Sequence, residues 1–469
     1  MKRLSLIILL LSVGLNACKR ATPEEYGKIT NNPKYYHDAI DKVTEVIIHD
    51  IFSPPVASRI YSYVTLAGYE ALVPSDDSFL SMSGQFKGFD NVPQPEEGEE
   101  YCYPLASIKA LFTVARSQTF TVEKYDEFEN GVYADFKEAG VPSDVYKRSM
   151  AYGEEIAKHV MEYAKGDNYA QTRGLRYTVK NEPGYWVPTP PQYADAMEPY
   201  WNTIRLTVLD SVNQFPAPPC PTYSLDKNSE FWKEVMEVYR INQNISDDQR
   251  NMAWFWDDNA FVMNVQGHVM FANKKMTPGG HWLAICTTAL KQQEKSMLES
   301  AEAYMMTSAA LHDGFITCWN EKYLTEKIRP ETVINSEMDA DDTPFLQTPP
   351  FPEYTSGHST ISAAAAEVLT GLLGDNVSFT DSTEFAYGHG VKTFPSFREA
   401  ATACSYSRMY GGIHYRTAVE EGQTCGIEVG QYILHAVKTR KGETVEKLTQ
   451  QEIESDLGWM WSLREKYDF

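Results

Sequence analysis

Three short clusters in roughly the last 150 residues of the 469-residue chain hold most of the side chains able to do chemistry. The first is Trp319-Asn-Glu-Lys322-Tyr-Leu-Thr-Glu-Lys-Ile-Arg329-Pro330. On a helix, positions 322 and 329 lie two turns apart and share a face, with Pro330 ending the helix, so both cations point at one spot. Two convergent cations make an anion pocket. The plainer alternative is a solvated face of mixed charge, since Glu321, Glu326 and Lys327 are neighbours.

The second cluster is Pro352-Glu-Tyr-Thr355-Ser356-Gly357-His358-Ser359, followed by Ile361, Ala364, Ala365, Val368, Leu369 and Leu372 at helical spacing, with Gly374 as the stop. Ser356 and Gly357 therefore stand where a helix begins. Free N–H groups bind oxyanions there, Gly permits close approach, Ser adds a hydroxyl, and His358 is adjacent. The third cluster is Ser407-Arg408-Met-Tyr-Gly411-Gly412-Ile-His414, leading into an apolar helix through Val419, Ile427, Val429 and Leu434. Arg408 can bond an oxyanion through two N–H groups, and neutral His414 can act as nucleophile or metal ligand. Each triplet alone is a common cap or surface pattern. All three, in order, within about ninety residues, are rare by chance.

Elsewhere, His268, His281 and His312 with Asp257, Asp258 and Asp313 show no metal-ligand spacing and read as core or supporting groups. The chain has neither a G-x-S-x-G elbow nor a P-loop lysine, so serine-hydrolase and NTPase readings lapse.

The elements that must position these clusters read as helices. Residues 37–52, 56–72, 105–116, 230–241 and 297–311 carry apolar positions at three- and four-residue spacing, whereas hairpin signals are scarce. Asn91–Tyr103 and Glu182–Tyr223 are rich in Pro and Gly and read as long ordered loops. The expected architecture is all-α helical bundles: a signal at 1–17, a tether at 18–36, an N-terminal helical region at 37–240 and a C-terminal catalytic helical domain at 241–469.

Composition bounds the rest. With 43% hydrophobic and 23% charged residues the chain is globular rather than disordered. Its 42 Lys and Arg against 64 Asp and Glu give a net charge of −22, which repels polyanions and excludes nucleic acid as a partner. Lys2 and Arg3 precede an apolar run from Leu4 to Leu15, too short to span a membrane and shaped like a secretory signal. Leu15-Asn16-Ala17-Cys18 resembles a bacterial lipobox, so Cys18 is the expected lipidation site of an exported, membrane-anchored protein of the cell envelope. Six further cysteines remain, without C-x-x-C spacing, and no pairing follows.

The three clusters resemble the vanadium-dependent haloperoxidases and type 2 phosphatidic acid phosphatases, whose pattern is K-x6-R-P, P-S-G-H, then S-R-x5-H-x3-D. Ser53-Pro-Pro-Val-Ala-Ser-Arg59-Ile-Tyr61, Thr277-Pro-Gly-Gly-His281-Trp282 and Trp319-Asn-Glu-Lys322-Tyr323 look like the soluble haloperoxidase branch. The resemblance implies an all-α fold and a vanadate cofactor, with phosphate able to occupy the same site. Lys322, Arg329, Ser356, Gly357 and Arg408 would hold the oxyanion. His414 would bond vanadium, or attack phosphorus, and His358 would be the acid–base group. Substrates would be peroxide and halide, or a phosphate ester, and the motifs do not separate the two chemistries. Two positions depart from the pattern. Thr355 replaces the usual Pro. Ala418 replaces the Asp expected to orient His414, leaving Glu420 or Glu421 as substitutes; on that reading Ala418→Asp should raise activity. A non-catalytic surface lipoprotein that binds glycan or oxyanion accounts for the composition but gives no reason for the clusters.

Overall fold

The structure, a computed structural model, describes residues 20–266, 268–455 and 457–467. Cys18 lies outside them. The expected helices are present with slightly wider bounds: Lys34–Asp50, Pro54–Leu72, Tyr103–Gln118, Glu230–Asn244 and Met297–Thr325. Strand is confined, among the described residues, to two antiparallel pairs, Phe261–Gln266 with Val269–Lys274 and Phe379–Asp381 with Lys392–Phe394. Between Glu182 and Tyr223 the chain is irregular apart from one short turn of helix at Trp201–Thr203. No helix among the described residues is long and apolar enough to cross a membrane.

The Met297 helix organises the molecule. It opens with a reciprocal capping box between Ser296 and Glu299 and is buried nearly all round, as expected of a helix that neighbours enclose on every side. One flank packs on Pro54–Leu72, which in turn packs on Tyr103–Gln118 and Ser143–Lys165; the other packs on Gly357–Leu373, which carries the second cluster. A single apolar cluster runs from Tyr26 to Ile453 through both sets.

The helix Arg416–Ala436 lies against Gly357–Leu373 at unusually close range. Gly422, Gly426 and Gly430 recur every fourth residue and so share one face. A Cβ on Gly426 would sit 2.1 Å from the Thr360 carbonyl oxygen, and one on Gly430 2.6 Å from that of Ala364. Glycine is what lets the two backbones approach. The contact also ties Ser356 N–H to the Ala418 carbonyl at 2.9 Å, which fixes the start of the site-bearing helix.

The six described cysteines are all free thiols. The sequence places Lys322 and Arg329 on one helix, and the structure corrects this. The Met297 helix stops at Thr325, Glu326 turns into the left-handed region at φ 47°, and Arg329 caps a new helix, Pro330–Glu337, from an extended backbone. Proline forces the preceding residue out of helical geometry and is itself favoured at a first helical position, so Pro330 starts one helix rather than ending another.

Candidate functional site

Ser356 caps Gly357–Leu373 through a hydrogen bond from Ser359 N–H to its Oγ, at 3.3 Å, which sets Gly357 and His358 in the first turn. Arg408 ends the helix Phe397–Tyr410, and His414 follows a turn with Gly412 at φ 76°. Gly357, His358, Arg408 and His414 line one cavity of about 160 Å³, whose wall also includes Asp258, Phe315, Trp319 and Phe351. Ser53 and Pro54, from the first N-terminal motif, contribute to its rim.

Lys322, Arg329 and Ser356 stand immediately behind that lining, each fully buried. Arg329 donates through Nε to the Phe351 carbonyl at 2.9 Å and through Nη1 to the Ile413 carbonyl at 2.8 Å, with His414 Nε2 at 3.2 Å from the same Nη1. Lys322 Nζ donates to the carbonyl oxygens of Pro352 at 3.0 Å, Glu353 at 3.1 Å and Thr355. All three ammonium protons therefore clamp the loop that leads into Ser356. Burial pushes the Lys322 ammonium down to about 7, and the neighbouring Arg329 adds to this. Burial likewise brings Arg329 down to about 10. Arg408 Nη1 donates to the Trp256 carbonyl, and burial lowers this guanidinium too.

Both histidines are neutral. Burial, then the cations Arg329, Lys322 and Arg408, hold His414 well below the ordinary imidazole range; burial and Arg408 do the same to His358. The residue that orients His414 is one the motif spacing does not reveal. Glu353 Oε1 lies 2.8 Å from His414 Nδ1 and accepts the Tyr415 N–H at 2.9 Å. The carboxylate at Nδ1 and the donor-only Arg329 guanidinium at Nε2 together put the proton on Nδ1, so that the Nε2 lone pair faces Arg329 Nη1 at 3.2 Å. Glu353 is itself fully buried, and burial pushes its carboxyl up to about 7 against the opposing pull of Lys327 and Arg329.

Glu420 and Glu421 do not fill that role. Glu420 accepts from Tyr406 Oη at 2.9 Å and pairs with Arg416 at 3.1 Å, and Nδ1 is already taken by Glu353. The expectation that an Asp at position 418 improves the site falls with it, because fully buried Ala418 serves through its carbonyl to Ser356 and the histidine needs no second partner. Glu353 precedes the Ser-Gly-His triplet by three residues and His414 by sixty-one, so only the fold joins them. Its one sequence signal is a carboxylate set in an otherwise uncharged stretch.

The other flagged histidines part company. His268 is exposed at the tip between the longer strands. His312 Nε2 lies 3.1 Å from the Arg205 carbonyl, while Asp313 accepts backbone N–H groups from residues 207–209. Asp257 pairs with Lys275 at 3.1 Å. Asp258 alone of these joins His281, at 2.9 Å.

Among the described residues at the cavity, Arg329 Nη2, Arg408 Nε, His358 Nε2 and Gln192 Nε2 are buried polar atoms without a hydrogen-bond partner, the first three beside His414. Of these three, two are cationic donors and the third is a ring nitrogen, and they accompany the neutral His414 imidazole, whose Nε2 lone pair is met by Arg329 Nη1. Buried donors left unmatched cost free energy, so a set of this kind fits an oxyanion. Vanadate and phosphate both satisfy that requirement.

Comparison with known proteins points to one group. Residues 302–442 match the family model of the VCPO second helical-bundle domain. A solved structure described as the first bacterial vanadium-dependent iodoperoxidase is 41% identical, with a TM-score of 0.81, and covers 87% of this chain and 97% of its own. A holo-type bacterial vanadium-dependent chloroperoxidase is 16% identical with a TM-score of 0.62, covering 82% of this chain and 92% of its own, a likeness of fold. No functionally curated protein sequence matches.

Proposed function

The chain belongs to the vanadium-dependent haloperoxidase family, and we propose that it holds vanadate in this pocket and uses hydrogen peroxide to oxidise halide, iodide foremost. The observation that carries the reading is the pair of unmatched cationic donors, Arg329 Nη2 and Arg408 Nε, with the unmatched ring nitrogen His358 Nε2, around His414. The 41% identical iodoperoxidase supports iodide as the halide.

Vanadate, when bound, supplies a Lewis-acid centre that makes peroxide reactive towards halide. The protein does the rest. Arg329 and Arg408 neutralise oxyanion charge with fixed donors that need no reorganisation, and Ser356 and the Gly357 N–H group form the helix end facing it. His414 Nε2 would be the ligand atom once it parts from Arg329 Nη1, kept in the right tautomer by Glu353. His358, neutral and lining the cavity, would be the acid–base group, its unpartnered Nε2 able to take a proton from peroxide and hand it on. Lys322 holds the 352–355 loop and contributes positive field from behind. The lipobox-like Leu15-Asn16-Ala17-Cys18 supports an exported protein tethered through Cys18; in the native host, Cys18→Ser should release it from the membrane fraction.

The test is vanadium analysis of the purified chain after incubation with vanadate, with paired assays of iodide and bromide oxidation by peroxide and of phosphate-ester hydrolysis. One vanadium per chain with peroxide-dependent iodide oxidation is expected. Ester hydrolysis without halide oxidation in the loaded protein would replace this reading with a phosphatase working through a phosphohistidine at His414.

A further inference from the structure

A second cluster, which the proposed halide chemistry does not use, adjoins the oxyanion pocket through Asp258 in its wall. Asp258 follows the helix Asp247–Phe255, His281 lies in the first turn of Pro278–Gln292, and Glu384 belongs to the short turn of helix Thr383–Tyr387. One ligand atom from each lies within 4.8 Å of the others, and all three residues are at most 1% exposed. His281 Nδ1 is 2.9 Å from Asp258 Oδ1, and His281 Nε2 is 2.8 Å from Asp381 Oδ2. The Trp256 ring stacks on the imidazole with centroids 4.6 Å apart, closing one side.

Glu384 is the unexplained member. Both of its carboxylate oxygens are buried and neither has a hydrogen-bond partner. Of the basic groups near it, Lys275 pairs with Asp257 at 3.1 Å and His281 is hydrogen-bonded to Asp258 and Asp381. A buried carboxyl group is ordinarily hydrogen-bonded, paired, protonated or bound to a metal, and hydrogen bonds are absent here.

We propose that Asp258, His281 and Glu384 form a site for one divalent cation of the Mn²⁺ or Zn²⁺ class, with Asp381 supporting the histidine. Metal–ligand bonds of about 2.1 Å put adjacent donor atoms about 3 Å apart and opposite ones about 4 Å apart, so the observed spacing needs only slight tightening. Binding requires His281 to release its Nδ1 proton to solvent and turn that lone pair to the cation, while Nε2–H donates to Asp381, the carboxylate–histidine–metal arrangement usual in protein sites. One imidazole and two carboxylates suit a borderline cation better than all-oxygen Ca²⁺ or a soft, thiolate-seeking metal. The site is structural in consequence. It joins three segments, and Trp256, two residues before Asp258, supplies the carbonyl that anchors Arg408.

The experiment uses the full chain freed of metal by chelation, in buffer without vanadate or phosphate, titrated with Mn²⁺ by electron paramagnetic resonance and competed with Zn²⁺. One Mn²⁺ per chain is expected, weakened about tenfold or more by Asp258→Asn and by Glu384→Gln. His414→Ala, which alters only the oxyanion pocket, should bind Mn²⁺ as the parent does. X-ray absorption of the Zn²⁺-loaded parent should show a single imidazole among oxygen donors, without sulfur, and this arm stands even where the variants fail to fold. Absence of binding at millimolar Mn²⁺ and Zn²⁺, undiminished binding by both folded variants, or a sulfur-containing shell would overturn the proposal.

Discussion

Replacing Glu353 with Gln isolates the orienting carboxylate at almost constant shape. In the parent, Oε1 receives both the His414 Nδ1 proton at 2.8 Å and the Tyr415 N–H at 2.9 Å. The amide oxygen of Gln can still accept, but without charge, and its NH₂ group offers nothing to Nδ1–H. A hydrogen bond to a charged partner contributes about 1.5–3 kcal/mol, and loss of such support behind a metal ligand costs about 10–100-fold in affinity or turnover. The same change deletes a negative charge beside Lys327, Arg329 and Lys322, which on electrostatics alone favours any anion. The two effects therefore oppose each other, and comparing anions separates them. Vanadate, which depends on the His414 lone pair, should bind about 10–100-fold more weakly to Glu353→Gln, with iodide oxidation falling alongside. Phosphate, held by the cations, should bind no worse than to the parent. Equilibrium dialysis of both anions against parent and variant gives the answer. Folded Glu353→Gln protein with parental vanadate affinity and turnover would refute the assignment of Glu353 as the group that fixes His414.

Lys322→Met strips three carbonyl oxygens of the 352–355 loop of their donor, at about 1–3 kcal/mol for each that stays buried and unmatched. The unfolding midpoint should fall even without vanadate, whereas a lysine serving only as anion ligand would leave the vanadate-free protein unchanged. Gly426→Ala drives a methyl to 2.1 Å from the Thr360 carbonyl oxygen and should destabilise by roughly 1–3 kcal/mol or more, measured by calorimetry, with Ser356 displaced and vanadate binding weakened. Glu70 is fully buried, accepting from Ser81 Oγ and Met82 N–H, and burial pushes its carboxyl up to about 7 from an ordinary 4.5. Between those two values the folded chain keeps a proton that the unfolded chain releases. Its contribution is complete below pH 4.5 and is lost as pH rises towards 7, by about 3 kcal/mol at most. Denaturant titrations across that window should show a shallower decline in Glu70→Gln than in the parent.

How much of this was legible beforehand depends on the range of the interaction. The Pro54–Leu72 and Gly357–Leu373 helices follow from local spacing, since apolar residues every three or four positions need no knowledge of what they pack on. Arg408 and His414 likewise lie close enough in sequence to be read as a pair. The break between Lys322 and Arg329 was misread for a local reason: Pro330 is compatible with either a helix end or a helix start, and only the left-handed Glu326 settles which. Glu353 was missed for a non-local one. Its partner is sixty-one residues away on another segment, whereas the carboxylates close to His414 in sequence are Glu420 and Glu421.

The choice of partners around the pocket also explains how a chain with a net charge of −22 can present a site for an anion. Lys322, Arg329 and Arg408 are all buried, and a buried cation is most simply satisfied by a carboxylate, as Arg59 is by Asp167 at 2.5 Å elsewhere in this fold. Such pairing would cancel the charge that the oxyanion requires. Here the hydrogen bonds of the three cations run to the carbonyls of Pro352, Glu353, Thr355, Phe351, Ile413 and Trp256. Carbonyl dipoles satisfy N–H groups and fix their direction without a hydrogen-bonded carboxylate to cancel the charge, while Asp257 and Asp258 act on Arg408 only through space. The cost is visible in the lowered Lys322, Arg329 and Arg408, all held below their ordinary values by burial. Glu353 is the exception that keeps the arrangement functional. Its carboxylate is spent on His414 and Tyr415 rather than on a cation, so the negative charge that enters the ring tunes the imidazole and leaves the guanidinium groups of Arg329 and Arg408 for the anion.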